Sequence, residues 1–159
     1  MRRRCQLMFV SSAGGHLTEM LRLQKDYDGK RSVVVTERTP TTETLNVELE
    51  SVVMFLPHGG REKVFSFFGK FVWNVFVSLF RVIWYRPKVV ISTGAHTAVP
   101  TCIFAKLLGG KVIFIESFAR IRTPSLTGRI LYIFSDRFYV QWPELKRFYK
   151  RAWYKGKLF

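Results

Sequence analysis

Residues 6–25 of this 159-residue chain read QLMFVSSAGGHLTEMLRLQK, and this stretch decides the fold. The apolar run Gln6–Val10 predicts a buried strand, which stops at the Ser/Gly-rich turn 11–15. His16–Lys25 predicts a helix, because its apolar residues recur at helical spacing. A strand that ends in a glycine turn and passes directly into a helix is the repeating unit of an open α/β sheet.

The rest of the chain repeats this alternation of strand and helix. The predicted strands are Ser32–Thr36, Val52–Leu56, Val89–Thr93, Lys111–Glu116 and Arg137–Val140, and the predicted helices are Val64–Tyr85, Thr97–Leu108, Ser125–Phe134 and a basic helix Glu144–Ala152. Continuous Val/Ile-rich strands that alternate with helices indicate a parallel sheet covered on both faces. We therefore expect residues 1–159 to form one α/β domain with a Rossmann-like, doubly wound parallel sheet.

The first turn, Ser11-Ser12-Ala13-Gly14-Gly15, occupies the phosphate-binding position of such a fold. Backbone N–H groups at a helix N-terminus attract an anion, and glycines let that anion approach the backbone. The alternative is a tight turn without a ligand, and the residues alone leave both interpretations open. A dinucleotide is disfavoured, because G-x-G-x-x-G is absent and only Glu37 stands near the end of the second strand.

Two further features make this edge of the sheet a candidate site. His16 stands at the mouth of the first turn, where a histidine serves either as a general base or only as a hydrogen-bonding partner of ligand or loop. The turn 92–97, STGAHT, repeats the design of the first turn and contributes Gly94, His96 and Thr97 as candidate anion-binding residues. The carboxyl ends of parallel strands are where open α/β sheets bind ligands.

The fifth predicted strand ends in Glu116-Ser117-Phe118-Ala119-Arg120. The Glu116 carboxylate is a second catalytic candidate, with the ordering of a loop as the commoner alternative role. Ser117 and Arg120 are candidate ligand contacts, since an arginine four residues after a carboxylate pairs either with that carboxylate or with a phosphate.

The segment Val64–Tyr85 has 22 residues, 16 of them apolar or aromatic. Its length is sufficient to cross a bilayer, but Lys70 and Arg81 make a span costly. On a helix its polar residues form one narrow stripe, so we expect one side to cover the sheet and the rest to meet a membrane surface or a partner. The alternative is a helix buried on all sides. The residues expected to contact the membrane are Phe67, Phe68, Lys70, Phe71, Trp73, Phe76, Phe80, Arg81 and Trp84.

Composition restricts the classes of partner. Twenty-six Lys and Arg against eleven Asp and Glu give a net charge of +15, which favours a polyanionic partner such as an anionic membrane, a phosphorylated substrate or nucleic acid. Nucleic acid is not expected, because no recognised binding motif is present. Cys5 and Cys102 lack CxxC or Cys/His spacing, so we expect free buried thiols, no bound metal and no cofactor.

Several motifs in one order resemble a known family. They are the turn 11–16, Ser92-Thr93-Gly94-Ala95-His96, Ile115-Glu116-Ser117, Ser125-Leu126-Thr127-Gly128, Ser135-Asp136-Arg137 and Val140-Gln141-Trp142. The family is the acceptor-binding, membrane-associated subunit of the two-chain N-acetylglucosaminyltransferase of lipid-linked oligosaccharide synthesis. Its bacterial capsule and exopolysaccharide homologues of the PssD type look most similar, and the match runs from about Leu7 to the C-terminus.

The resemblance implies the N-terminal half of a GT-B glycosyltransferase. In that architecture the N-terminal domain binds a polyprenyl-diphosphate-linked acceptor, and the C-terminal domain, here a separate small partner subunit, binds the UDP-sugar. The resemblance implies that His16 deprotonates or positions the acceptor hydroxyl, that the turns at Gly14–Gly15 and Gly94–Thr97 hold the diphosphate, and that Glu116 and Arg120 order the site or contact the acceptor.

The resemblance also bears on location. Eukaryotic members carry an N-terminal membrane anchor, whereas this sequence opens at its first strand, so we expect a bacterial member bound peripherally or monotopically to the cytoplasmic face of the plasma membrane. The basic tail 153–159 is a candidate docking segment for the partner subunit.

Two other functions are compatible with the residues. The chain could be a non-catalytic membrane scaffold that recruits and activates a partner holding all the chemistry. A stand-alone nucleotide- or nucleic-acid-binding protein is the third hypothesis, and it predicts salt-dependent binding of polyanions.

Overall fold

The computed structural model describes residues 5–25, 27, 32–45, 52–56 and 64–158, with side chains in the last range from residue 69 onward. The strands are β1 (Leu7–Ser11), β2 (Ser32–Glu37), β3 (Val52–Leu56), β4 (Val89–Gly94), β5 (Lys111–Ile115), β6 (Arg137–Val140) and β7 (Trp153–Tyr154). The helices are α1 (Gly15–Lys25), α2 (Val64–Tyr85), α3 (Ala98–Leu107) and α4 (Leu126–Phe134), and a 3₁₀ helix spans Pro143–Arg147.

All strand pairs are parallel, and the order in the sheet is β3-β2-β1-β4-β5-β6-β7. The central strand β1 places Met8 beside Val33 of β2 on one side and beside Val90 of β4 on the other. The chain therefore winds outward to β3 and then returns to β4. This order confirms the predicted doubly wound sheet, and it brings the carboxyl ends of β1 and β4 together at the topological switch point.

The sheet buries apolar side chains on both faces. Along β1, Met8 and Val10 contribute to the core beneath α2, α3 and α4, whereas Phe9 contributes to the core beneath α1. This alternation is the two-residue period of a strand. Cys5 and Cys102 are free and buried, as expected, and burial raises the pKa of the Cys102 thiol to about 12.

Helix α2 turns its polar stripe toward the protein. Asn74 is 1% exposed and its Nδ2 donates a hydrogen bond to the Thr97 carbonyl oxygen at 3.0 Å. Ser78 is fully buried, and its hydroxyl accepts a hydrogen bond from Thr101 Oγ1 at 3.0 Å. These bonds attach α2 to α3 through polar groups. An ordinary surface helix turns its apolar side to the protein and its polar side to solvent.

The aromatic side of α2 faces outward. Trp73 and Phe76 are each 61% exposed, and Phe80 is 66% exposed. Val72, Ile83 and Trp84 extend this apolar surface. The alternative of a helix buried on all sides within this chain is therefore wrong. Among the described residues, no helix combines the length and the hydropathy needed to cross a bilayer.

Arg81, which is expected to contact the membrane, is half-buried and bonded to the sheet, and the expected membrane contact stays a prediction. Its Nη2 donates a hydrogen bond to the Phe55 carbonyl oxygen of β3, and burial lowers the pKa of its guanidinium. The side chain is long enough to reach back to the sheet from the edge of the polar stripe. Lys70 is exposed and Phe71 is half-buried, while the side chains of Phe67 and Phe68 lie outside the described residues.

The predicted basic helix Glu144–Ala152 is wrong. The segment forms the shorter 3₁₀ helix Pro143–Arg147 and a turn, and the strand β7, which pairs with β6, follows directly after it. Tyr149 is 2% exposed and anchors the turn in the core. A continuous helix is interrupted because the chain must place this side chain in the core and then run parallel to β6.

Candidate functional site

The two predicted anion-binding turns are joined at the switch point. The backbone N–H of Ser12 donates to the Gly94 carbonyl oxygen at 2.9 Å, and the N–H of Ala95 donates to Ser12 Oγ at 3.3 Å. These bonds connect the end of β1 to the end of β4. The residues predicted on both turns therefore come together at the carboxyl edge of the sheet, in the region where open α/β sheets form the ligand-binding crevice.

His16 is held in one orientation within this crevice. Its Nδ1 lies 2.8 Å from the Thr93 carbonyl oxygen, and Thr93 Oγ1 donates to the His16 carbonyl oxygen at 2.7 Å. A carbonyl oxygen only accepts hydrogen bonds, so Nδ1 carries the proton. In the neutral imidazole, Nε2 then keeps its lone pair, which makes it the atom able to accept a proton.

Gly94 makes room for this imidazole. Its φ is +102°, and a Cβ built on it would lie 3.3 Å from both Cε1 and Nδ1 of His16. Only glycine adopts this backbone conformation readily and also leaves the ring its space. Gly94, in the second turn, therefore leaves the space that the His16 ring occupies.

The space above the first turn is open. A Cβ on Gly14 or Gly15 would meet no atom within 4 Å. The first backbone bond of the helix runs from the Thr18 N–H to the Gly14 carbonyl oxygen, which leaves the preceding N–H groups of α1 without helical partners. The helix N-terminus can accordingly receive an anion at this point.

Two buried hydroxyls lie at the same edge. Ser11 is fully buried and Thr97 is 2% exposed, and neither Ser11 Oγ nor Thr97 Oγ1 has a hydrogen-bond partner within the part of the chain that the structure describes. Buried hydroxyls without a partner are costly. Both oxygens are covered by protein, so a ligand reaches them only if the turns move. His96 is half-buried beside Thr97.

Glu116 lies beneath the site. Its carboxylate is 1% exposed and accepts hydrogen bonds from the Ser117 N–H at 3.1 Å, Ser125 Oγ at 2.8 Å and the Tyr149 hydroxyl at 2.8 Å. Burial and the nearby carboxylate both raise the pKa of Tyr149. The geometry shows an ordering role, and the catalytic assignment of Glu116 stays a prediction. Arg120 follows on the exposed part of the loop.

The hydrogen bonds around Glu116 predict that a side chain added at Gly128 destabilises the protein. A Cβ there would overlap the Glu116 carboxylate and lie 2.5 Å from the Tyr149 hydroxyl. We expect Gly128→Ala to lower the free energy of unfolding by at least about 2 kcal/mol, because buried hydrogen bonds must break. Chemical denaturation measures this, with Gly69→Ala as the control. The Cβ of that control meets nothing within 4 Å on α2, so it should gain roughly 0.5–1 kcal/mol. Equal stability of the two variants would contradict the described packing.

Glu19 is a site residue that the sequence analysis missed. It is 4% exposed on α1, its Oε1 accepts from Ser117 Oγ and the Phe118 N–H, both at 3.1 Å, and its Oε2 accepts from Gln141 Nε2 at 3.0 Å. Burial raises the pKa of its carboxyl. The available signal was a charged residue one turn after His16, on the same helix face.

The C-terminal tail contacts Gln141 and Trp142, next to the hydrogen bonds of Glu19. The Leu158 N–H donates to Gln141 Oε1 at 2.9 Å, and Lys157 Nζ lies 3.7 Å from the centroid of the Trp142 ring. The Trp142 Nε1 donates in turn to the Phe118 carbonyl oxygen at 2.7 Å. The tail therefore packs beside the β5 loop, and Phe159 lies outside the described residues.

Metal-ligand chemistry is not assembled in this crevice. Across residues 5–25, 27, 32–45, 52–56 and 64–158, no three His, Cys, Asp or Glu side chains are grouped so as to hold a metal ion. The site residues offer imidazoles, hydroxyls, carboxylates, a guanidinium and backbone N–H groups.

Sequence comparisons match almost the whole chain. A family model described as "Oligosaccharide biosynthesis protein Alg14 like" matches residues 7–158. The UDP-N-acetylglucosamine transferase subunit alg14 of Schizosaccharomyces pombe is 33% identical over 172 residues, which cover 94% of this chain and 81% of the relative. The corresponding subunit of Rattus norvegicus is 32% identical over 180 residues, covering 96% of this chain and 82% of the relative.

Comparisons of structure agree on the fold. MurG of Acinetobacter baumannii superposes with a TM-score of 0.70 at 17% identity, over 87% of this chain and 42% of the MurG chain. The UDP-N-acetylglucosamine 2-epimerase of Rickettsia bellii superposes with a TM-score of 0.72 at 12% identity, over 98% of this chain and 46% of the epimerase. The chain thus has the fold of slightly less than half of each enzyme.

Proposed function

The chain belongs to the Alg14-like family of oligosaccharide biosynthesis proteins, and from this premise we propose that it is the acceptor-binding, membrane-docking subunit of a two-chain glycosyltransferase. The reaction is the transfer of a sugar from a UDP-sugar to a polyprenyl-diphosphate-linked acceptor. A small partner subunit holds the UDP-sugar. The observation that carries the proposal is the His16 imidazole, oriented by Thr93 in the first turn of a helix whose glycine-containing N-terminus is open.

The comparisons support a glycosyltransferase at a coarse level. The relatives are named as subunits of a UDP-N-acetylglucosamine transferase, and a name of that kind implies at least one more chain. The fold corresponds to part of MurG and part of a UDP-N-acetylglucosamine epimerase. The more specific assignment to a bacterial capsule or exopolysaccharide pathway, at the cytoplasmic face of the plasma membrane, is part of the proposal.

The proposed chemistry uses the free nitrogen of His16. Nε2 accepts the proton of the acceptor hydroxyl while that oxygen forms a bond to the anomeric carbon of the donor sugar. The bond from the anomeric carbon to UDP breaks on the opposite side, and UDP leaves with the electron pair. The configuration at the anomeric carbon is inverted. The Thr93 carbonyl stabilises the protonated imidazole through its bond to Nδ1.

The diphosphate of the acceptor occupies the crevice between the two turns. The N-terminus of α1 at Gly14–Gly15 offers backbone N–H groups and a positive helix dipole. Ser12 lies at the same edge, and the covered hydroxyls of Ser11 and Thr97 join the diphosphate only if the turns move. Arg120 and Ser117 lie on the neighbouring loop, where the cation of Arg120 complements the charge of the diphosphate.

Membrane docking falls to the exposed aromatic side of α2. Large aromatic side chains beside Lys70 suit the interface between lipid headgroups and hydrocarbon. The tail residues 155–158 lie at the same carboxyl edge as the site, which suits contact with the donor-binding partner. The scaffold hypothesis uses the same membrane-docking surface and the same tail, but it does not require the two turns to bind a ligand.

Gly15→Ala distinguishes the two hypotheses. Its φ is not positive and its Cβ meets no atom within 4 Å, so we expect folding to be unchanged. The methyl group projects where the diphosphate approaches the helix. With both chains reconstituted, we expect the KM for the prenyl-diphosphate acceptor to rise about tenfold, while the KM for the UDP-sugar stays the same.

The two KM values decide between the hypotheses, and thermal denaturation of the variant checks the fold. An unchanged acceptor KM in a correctly folded Gly15→Ala protein favours the scaffold. A rise in the donor KM alone places the UDP-sugar, and not the acceptor, at this helix.

A further inference from the structure

An open groove of about 640 Å³ runs between α2 and the edge strand β3. Its walls are apolar and mostly aromatic, and they include Met54, Trp73, Phe76, Val77, Phe80 and Trp84. The rings of Phe80 and Trp84 stack with centroids 6.0 Å apart. Such walls bury hydrocarbon favourably and offer little to a polar ligand.

Helix α2 borders both this groove and the turn after β4. Trp73 lines the groove, and the next residue, Asn74, donates a hydrogen bond on another side of the helix to the carbonyl oxygen of Thr97, on the turn after β4. The groove then continues along α2 to Trp84, toward the opposite edge of the sheet. A long apolar chain whose anionic end sits between the two turns therefore has to pass only over α2 to reach the groove.

Arg81, the cation in the groove wall, is not placed to bind a lipid headgroup. Arg81 lines the groove, but its Nη2 is bonded to the Phe55 carbonyl oxygen. Its Nη1 is fully buried and has no hydrogen-bond partner among the described residues. A phosphate entering from outside cannot reach a buried Nη1 without displacing the wall. The occupant that fits is the hydrocarbon part of a lipid.

We propose that this groove holds the prenyl chain of the lipid-linked acceptor, next to its diphosphate. The assignment rests on the proposed function, because it is the diphosphate in the crevice that places the start of the chain near Trp73. The aromatic surface of α2 contacts the bilayer, and the groove opens on that same side. The chain therefore passes from the membrane into the groove without crossing water.

Two matched variants test the groove. Val77→Phe adds an aromatic ring inside it, and Leu107→Phe adds the same ring at the exposed end of α3, outside both the groove and the aromatic surface of α2. With both chains reconstituted in detergent, we expect Val77→Phe to raise the KM for a long-chain prenyl-diphosphate acceptor about tenfold. The KM for an acceptor with a single isoprene unit should be unchanged, and Leu107→Phe should leave both values unchanged.

A binding measurement separates this proposal from the proposed function. Geranylgeranyl diphosphate is titrated against the chain while the intrinsic fluorescence of its four tryptophans is recorded, two of which, Trp73 and Trp84, line the groove. Inorganic diphosphate and phosphatidylglycerol vesicles serve as comparison probes. We expect saturable quenching by geranylgeranyl diphosphate that Val77→Phe weakens about tenfold and Leu107→Phe does not. This readout does not depend on sugar transfer.

Each outcome decides a separate point. Quenching that Val77→Phe leaves unchanged overturns the groove assignment, and so does an equal loss with long-chain and short-chain acceptors. Weaker vesicle binding by Val77→Phe, without an effect on geranylgeranyl diphosphate, assigns the groove to membrane phospholipid and likewise overturns it. Groove-dependent quenching in a wild-type pair that transfers no sugar contradicts the proposed function and leaves the groove assignment standing.

Discussion

Replacing His16 with Ala is expected to lower the rate of sugar transfer by the reconstituted pair by about 10²–10⁴-fold. The variant removes an imidazole whose Nε2 is left able to accept the proton of an attacking hydroxyl, because Nδ1 is fixed 2.8 Å from the Thr93 carbonyl oxygen. Membrane binding should survive, because the exposed aromatic side of α2 is untouched. Initial rates with saturating donor and acceptor measure the effect.

The positioning of the ring gives a control for this first prediction. Thr93→Val removes the hydroxyl that donates to the His16 carbonyl oxygen at 2.7 Å but keeps the backbone carbonyl that orients Nδ1. We expect this variant to lose far less activity than His16→Ala. Full activity of His16→Ala would show that the imidazole takes no part in catalysis. Similar losses of activity in both variants would show that transfer depends on the conformation of the turn and not on the base.

Replacing Trp73, Phe76 and Phe80 together with Ser is expected to weaken binding to anionic vesicles by on the order of 100-fold. Each ring is more than half exposed and loses about 1 kcal/mol or more of burial in the membrane interface when it is removed. The free energy of unfolding should change little, because the polar stripe and not the aromatic side attaches α2 to the protein. Flotation with vesicles measures the binding.

Leu107 and Leu108 offer a matched control for this second prediction. They are 70% and 52% exposed at the end of α3, outside the aromatic surface. Replacing both with Ser removes exposed apolar area without changing α2, so vesicle binding should stay close to that of the wild type. If the aromatic triple variant floats as well as the wild type, the surface of α2 belongs to a protein partner.

The sequence determined the sheet because its signals were local. The Val/Ile runs, the glycine turns and the alternation with helices each lie within a few residues, and they placed β1, β4 and the turns of the crevice correctly. His16 and the turn residues follow from the same pattern, because a parallel sheet puts its strand ends at one edge. The binding and catalytic roles of these residues stay predictions.

The missed features depend on partners far away in the sequence. The polar stripe of α2 was visible, but its direction depends on Asn74 meeting Thr97 and Ser78 meeting Thr101, each 23 residues further on. Glu19 gained its role from Ser117, which lies 98 residues away. No local rule signals such bonds.

The same physical reason explains the errors near the C-terminus. Residues 144–152 have helical composition, yet the hydroxyl of Tyr149 is held by Glu116, 33 residues earlier, and β7 pairs with β6. Tertiary packing overrides a weak local preference in a short segment. The tail then folds back over Trp142 and does not extend freely.

The central claim is that this chain brings the acceptor and the base to a donor held by another subunit. The most direct test measures sugar transfer to a polyprenyl-diphosphate-linked acceptor in membranes, with this chain alone, the donor-binding subunit alone, and both together. We predict transfer only when both chains are present. Comparable transfer by the donor-binding subunit alone would reduce this chain to a scaffold, and transfer by this chain alone would show that it holds the donor site as well.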